Sequence, residues 1–66
     1  MATYRIYHVG TGGRLRLGDS FQATRDDEAV EKARPLLGKG QAAELWQGGR
    51  IVGRFSDAHQ FKPDHG

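Results

Sequence analysis

Residues 42–55, AAELWQGGRIVGRF, place two short apolar runs on either side of the pair Gly48-Gly49. Two such runs around a Gly-Gly pair predict a β-hairpin with a two-residue loop. The predicted pairs, counted outward from the loop, are Gln47 with Arg50, Trp46 with Ile51, and Leu45 with Val52. This register determines which side chains share a face, because successive side chains of a strand point to opposite faces.

Two more strands are predicted upstream of this hairpin. Residues 3–9 are rich in aromatic and β-branched residues, which favour a strand. Residues 10–13 then turn the chain, and the alternation of apolar and polar residues in residues 14–23 predicts a second strand. Within this second strand, the pair Gly18-Asp19 predicts a bulge or a bend.

A single helix is predicted over residues 24–37. Thr24 is the predicted N-cap, and acidic residues follow it in the first turn, where they favour the positive end of the helix dipole. Apolar residues then recur at helical spacing. Pro35 lacks a backbone donor and disfavours helical geometry at Arg34, so the helix should end or distort near residues 34–37.

The predicted order of elements is therefore β-β-α-β-β. Two antiparallel hairpins joined by a crossing helix form a two-layer α+β fold, with a four-stranded antiparallel sheet and one helix on one face. Residues 1–56 are predicted to form a single domain. Residues 57–66 have no periodicity and are predicted to be a flexible C-terminal tail.

The size and composition of the chain narrow its function class. Its 66 residues contain no cysteine, which excludes disulfides and thiolate metal sites. No apolar run approaches the roughly 20 residues of a membrane span and no secretory leader is evident, so we expect a cytoplasmic protein without membrane contact. A chain this short buries only about 60% of its unfolded surface, so good packing or a partner subunit has to stabilise it.

The hairpin registers divide the side chains between the two faces of the sheet. The bulkier apolar set is expected to face the helix and comprises Tyr4, Ile6, Leu15, Leu17, Phe21, Trp46, Ile51 and Phe55. The sheet face opposite the helix, called the open face below, is expected to carry Tyr7, Val9, Leu45 and Val52. Interleaved with these are Arg5, Arg14, Arg16, Arg50 and Arg54. Glu44 fits the helix side poorly, although it shares the face of Trp46.

The open face predicts a binding function in two alternative forms. Exposed apolar patches commonly mark interfaces, so its apolar residues would bury against a second copy of the chain or another protein. In a homodimer the arginines would form the rim. Alternatively, the five arginines and Tyr7 would bind nucleic acid, because arginine bonds phosphate and tyrosine stacks on bases. An ordinary solvent-exposed face is the third alternative, since arginine is common on exposed sheets.

No residue pattern predicts catalysis, a cofactor or a metal site. The glycines of residues 10–13 lead into a strand, whereas a phosphate loop leads into a helix. The acids of residues 26–28 are explained as partners of the helix N-terminus. His8, His59 and His65 lack the spacing of a helical zinc motif. We therefore predict a non-enzymatic protein that needs no cofactor.

Three short segments carry a family resemblance: residues 4–7 (YRIY), 26–29 (DDEA) and 44–48 (ELWQG). With these segments in the order β-β-α-β-β, the chain resembles a group of small uncharacterised bacterial proteins of about this length. The ELWQG segment of the C-terminal hairpin is the most specific element. The resemblance covers residues 4–55 and implies an α+β fold and an intracellular bacterial setting, without an established activity. Pro35 and the residues after Phe55 depart from the pattern.

Overall fold

The computed structural model describes residues 1–64 and shows an α+β fold with one helix against an antiparallel sheet. The strands are β1 (Ala2–Val9), β2 (Leu15–Ala23), β3 (Ala43–Gln47), β4 (Arg50–Phe55) and β5 (Phe61–Pro63), and the helix is α1 (Asp26–Ala33). Short 3-10 turns occupy Thr11–Gly13 and Arg34–Leu36. The sheet has five strands in the order β2-β1-β3-β4-β5. The α+β class and the β-β-α-β-β order are confirmed, but the expected number of four strands was wrong.

Local sequence signals account for the limits of α1. The helix begins at Asp26, two residues after the expected cap, and Thr24 donates its backbone N–H and its hydroxyl to Glu28 Oε1 at 2.6 and 2.8 Å. The α-helix ends at Ala33, and the segment that contains Pro35 continues as the 3-10 turn. The predicted distortion near residues 34–37 is confirmed, because proline cannot supply the next backbone donor.

A bulge in β2 reverses which of its side chains face the helix. Tyr4 pairs with Phe21, but the register shifts between Arg5 and Tyr7, and Tyr7 pairs with Leu17. The shift lies opposite Gly18, where a Cβ would stand 2.7 Å from the Ile6 carbonyl oxygen. The bulge predicted at Gly18-Asp19 is thus confirmed.

The consequence of this bulge was not anticipated. Phe21 packs against the core, while Leu15 and Leu17 point to the open face and are 46% and 68% exposed. Their assignment to the helix side was wrong, because one extra residue in a strand moves all later side chains to the opposite face.

Residues 44–52 of the second hairpin lie the other way round from the expectation, whereas Phe55 faces the helix side as predicted. Its two-residue loop is as predicted, and so are the first two pairs, Gln47 with Arg50 and Trp46 with Ile51. However, Leu45 pairs with Gly53, so Val52 is the extra residue of a second bulge. Leu45 and Val52 are buried beneath the helix, and Trp46 and Ile51 lie on the open face.

The orientation of this hairpin follows from its pairing with β1. Leu45 pairs with Ile6 and Trp46 pairs with Arg5, so Leu45 shares the buried face of Ile6. Leucine and valine suit the layer under α1, where Ala29 and Ala33 leave little room for an indole. A hairpin's own sequence fixes its internal register but not which of its faces is covered.

The segment after Phe55, expected to be a mobile tail, supplies the fifth strand. Ser56 Oγ accepts the N–H groups of Ala58 and Gln60 at 3.2 and 3.1 Å, which closes a turn that returns the chain along β4. The Phe61 ring then packs against the Phe55 ring, with the two ring centroids 5.0 Å apart. Residues 65–66 of the predicted tail lie outside the described residues.

The buried core is one cluster on the helix side of the sheet. Its members are Tyr4, Ile6, Ala23, Ala29, Val30, Ala33, Ala43, Leu45, Val52 and Phe55. Within residues 1–64, no helix has the length and apolar character needed to cross a membrane.

Replacement of Leu45 by alanine tests the orientation of the second hairpin. Because Leu45 has no exposed surface, Leu45→Ala should lower the free energy of unfolding by about 2–5 kcal/mol. A loss of this size is comparable with the whole stability of a chain this short, so the variant should be largely unfolded by far-UV circular dichroism. The matched control Leu36→Ala, at an exposed leucine, should stay folded. A folded Leu45→Ala variant would contradict the assigned face.

Replacement of Phe61 by alanine tests the docking of β5. The variant should release β5 from β4, because the Phe55–Phe61 contact is lost. The Asp64 amide, which donates to the Val52 carbonyl at 3.1 Å, should then exchange its hydrogen faster. Lys62→Ala, at an exposed position of the same strand, should leave this exchange rate unchanged. Equal protection in both variants would show that Phe61 does not hold the strand.

Candidate functional site

A continuous apolar stripe crosses the open face of the sheet. It consists of Leu17, Tyr7, Trp46 and Ile51, which come from β2, β1, β3 and β4 in that order. Leu17 pairs directly with Tyr7, and Trp46 pairs directly with Ile51. The Tyr7 and Trp46 rings meet edge to face, with centroids 6.1 Å apart and planes at 81°. The pair Val9–Leu15 lies beside the Leu17 end and widens the stripe there.

Charged residues flank the apolar stripe on both sides. Arg5 lies on one side, paired with Trp46 across β1 and β3, and Glu44 lies on the other side, paired with Tyr7. Glu44 accepts Trp46 Nε1–H at 3.0 Å and Arg54 Nε–H at 3.2 Å. Its side chain is only 14% exposed. These contacts hold the indole ring in one orientation on the surface.

The residues predicted for the interface divide between the two faces. Tyr7 and Val9 are half-buried on the open face as expected, whereas Leu45 and Val52 belong to the core. Two of the four apolar residues predicted for the open face therefore lie on the helix side of the sheet instead. Leu15 and Leu17 take their place because of the bulge in β2, and Trp46 and Ile51 take theirs because of the register in which β3 pairs with β1.

The five predicted arginines are dispersed. Arg5 and Arg54 lie on the open face, together with Lys62, which pairs with Arg54. Arg50 turns to the helix side, where it binds Asp26. Arg16 pairs with His8 on the face opposite Leu17, and Arg14 precedes β2 at an exposed position.

The sequence did contain one signal for the observed orientation of the second hairpin. Glu44 has the same strand parity as Trp46, and a carboxylate is rarely placed in a core, so both residues belong on the open face.

A polar cluster ties the start of α1 to the sheet. Asp26 Oδ1 accepts the Tyr4 hydroxyl at 2.8 Å, and the Arg50 guanidinium donates to both carboxylate oxygens at 2.9 and 3.1 Å. The hydrogen bonds from Arg50, followed by the bond from Tyr4, hold the pKa of Asp26 below its ordinary value. Burial, followed by the hydrogen bond to Asp26, raises the pKa of Tyr4.

The direction of these pKa shifts assigns the polar cluster a structural role. A general acid or base works best with a pKa near the operating pH, and both shifts move away from neutrality. The carboxylate of Asp26 is already occupied by donors from β1 and β4. It therefore fixes the helix to the sheet.

A shallow groove of about 340 Å³ lies between α1 and β5. Its apolar lining consists of Val30, Val52, Phe61 and Pro63, and its acidic rim of Asp26, Asp27 and Glu31. These carboxylates have partners within the fold, since Asp27 pairs with Arg25 and Glu31 with Arg34. Among the described residues, no group of three or more potential ligands could hold a metal ion.

Replacement of Asp26 by asparagine tests the polar cluster through its pH dependence. A carboxyl with a lowered pKa in the folded state stabilises the fold above its unfolded value, near 3.8, and loses this contribution as the pH falls through the folded value. Asp26→Asn should therefore melt at a lower temperature than the parent at pH 7, and the difference should shrink below pH 3.8.

The control for this experiment is Tyr4→Phe, which removes the smaller of the two hydrogen-bond contributions. Because the Arg50 contacts lower the pKa of Asp26 most, the melting temperature of the control should still fall with pH much as that of the parent does. A gap between parent and Asp26→Asn that stays constant from pH 7 to pH 2 would contradict the assignment.

No family model, curated protein or solved structure matches this chain at a significant level. The resemblance carried by residues 44–48 therefore stays a prediction. Three of its five residues nevertheless have clear roles in the fold: Leu45 is buried in the core, while Glu44 and Trp46 form a hydrogen-bonded pair on the open face.

Proposed function

We propose that this chain is a non-enzymatic binding module that engages a protein partner through the open face of its sheet. The observation that carries the proposal is the apolar stripe, which leaves Leu17 68% exposed in a chain that buries its other apolar face well. Water-exposed apolar patches commonly mark interaction surfaces. Aromatic residues and arginine are enriched in interfaces, and the stripe contains Tyr7 and Trp46 beside Arg5.

The rigidity of the aromatic pair supports this proposal. Trp46 is held by its hydrogen bond to Glu44 and by the edge-to-face contact with Tyr7. A side chain that is already ordered loses little conformational entropy on binding, so more of its contact energy appears as affinity. Tryptophan and tyrosine in such a setting are typical binding hot spots.

The two edges of the sheet favour contact through its face. The outer edge of β2 is interrupted by the bulge at Gly18, and β5 is three residues long and ends in Pro63. Bulges, short edge strands and edge prolines all hinder pairing with an added strand. A partner therefore finds its larger continuous surface on the open face.

Single-stranded nucleic acid is the second candidate. Arg5, Arg54 and Lys62 share the open face with two aromatic rings, a combination that suits backbone phosphates and stacked bases. We rank it second because Arg54 is paired with Glu44 and because Leu15, Leu17 and Ile51 have no role in stacking.

Site-specific photo-crosslinking in the expressing cells tests the proposal. A photo-reactive amino acid in place of Leu17 should give a discrete protein adduct, which Ile51→Ser on the same chain should abolish. The control places the same amino acid at Leu36, an exposed leucine after α1, and should give no such adduct.

Two results would overturn the proposal. One is the absence of any adduct that depends on the apolar stripe. The other is a nuclease-sensitive adduct, accompanied by retention on single-stranded oligonucleotides that weakens steeply with salt, as counterion release requires. The second result would favour the nucleic-acid candidate.

A further inference from the structure

Resting on the proposed function, we infer that the partner is a second copy of the same chain, packed face to face about a two-fold axis that runs along the apolar stripe. Four side chains lie at the centre of the open face. Arg5 pairs with Trp46 and Tyr7 pairs with Glu44, across the neighbouring strands β1 and β3. These four residues form the corners of a square on the sheet surface.

The two diagonals of this square differ in chemistry. The Tyr7–Trp46 diagonal is the middle of the apolar stripe, with the rings in contact. The Arg5–Glu44 diagonal crosses the stripe and carries one cation and one anion on opposite sides. Because a cation and an anion lie on opposite sides of the apolar stripe, this surface is complementary to a second copy of itself.

A two-fold axis along the mean direction of the apolar stripe, midway between Arg5 and Glu44, exchanges the other two corners. Each aromatic pair would then pack on the same pair of the second copy. Arg5 of one protomer would lie over the partner's Glu44, and Glu44 over the partner's Arg5. In such an isologous contact every pairing occurs twice, so the interface contains two ion pairs between Arg5 and Glu44.

The Arg5 guanidinium and the Glu44 carboxylate both have hydrogen-bonding capacity left for such a contact. Among the residues that the structure describes, no carboxylate lies within 4.0 Å of Arg5, and its guanidinium makes one long contact, 3.4 Å to the Gly18 carbonyl oxygen. Glu44 accepts one hydrogen bond on each oxygen. Since a carboxylate offers about four acceptor sites, Glu44 can accept the partner's arginine without losing Trp46 or Arg54.

The ends of the stripe also fit a second copy. The same axis brings Leu17 over the partner's Leu17 and Ile51 over the partner's Ile51, which continues the apolar contact across four strands. A second copy thereby covers the sheet face that the single helix leaves open. Burial of these side chains is the source of affinity, and the charge pairs select the orientation.

Charge reversal and mixing test the inference. The parent chain should sediment as a dimer at micromolar concentration. Arg5→Glu alone and Glu44→Arg alone should each weaken the dimer roughly tenfold or more, because like charges then face each other. An equimolar mixture should restore the dimer, since both opposed pairs are again of opposite sign. Native mass spectrometry should identify the restored species as the mixed dimer.

Two further variants keep the test independent of folding defects. Arg5→Ala removes the cation without adding repulsion and should weaken the dimer less than Arg5→Glu does. Arg14→Glu makes the same charge change at an exposed position outside the square and should leave dimerisation unchanged. Far-UV circular dichroism checks that each variant is folded.

A parent chain that stays monomeric at high micromolar concentration would overturn the inference. If its Leu17 crosslink then identifies a different protein, the proposed function still stands. A parent dimer that both reversals weaken but the mixture does not restore would overturn the two-fold geometry. A dimer insensitive to both reversals would do the same.

Discussion

One short helix has to close the core of a five-stranded sheet, and most features of the molecule follow from this constraint. The eight residues of α1 extend for about 12 Å, while five strands span roughly 19 Å. The helix therefore covers the sheet only in part. Its buried residues are two alanines and a valine, so the backbone lies close to the strands. The larger side chains of the core therefore come from the sheet, namely Tyr4, Ile6, Leu45 and Phe55.

The remaining width on the helix side is covered by the C-terminal segment. Phe61 packs on Phe55, and the Arg34 guanidinium lies 5.7 Å from the centre of the Phe55 ring. The His59 ring nitrogen Nε2 contacts the Gly38 carbonyl oxygen at 2.7 Å, and Arg34 donates to the His59 carbonyl at 2.6 Å. These contacts extend the helix layer over β4 with very little regular structure. At the other end of the helix, the Asp26 cluster joins α1 to β1 and β4.

Residues 1–64 provide no such cover for the open face, and two bulges change which side chains it presents. Glycine stands in each irregular stretch, Gly18 in β2 and Gly53 in β4, and a Cβ at either position would collide with neighbouring backbone or side chains. By reversing side-chain parity, the first bulge brings Leu15 and Leu17 outward, and the second lets Val52 and Phe55 both point inward. The binding function that we propose thus depends on backbone irregularities as much as on the apolar residues themselves.

The sequence by itself determined the local features: the Gly48-Gly49 loop with its first two pairs, the bulge at Gly18-Asp19, and the end of the helix before Pro35. Each of these depends on backbone geometry within a few residues, which glycine and proline control directly. It also identified Tyr7 and Val9 as members of the open face and recognised Glu44 as a poor core residue. Only the tertiary structure decided that Leu45 and Val52 lie beneath the helix and that residues 61–63 form a strand.

Those outcomes depend on pairing between residues far apart in the chain, such as Ile6 with Leu45 and Phe55 with Phe61. Alternation tells which side chains share a face, but not which face the helix will cover. Side-chain volume and solvation decide which face is covered: leucine and valine fit under the alanines of α1, while Trp46 and Glu44 keep their hydrogen bond on the open face.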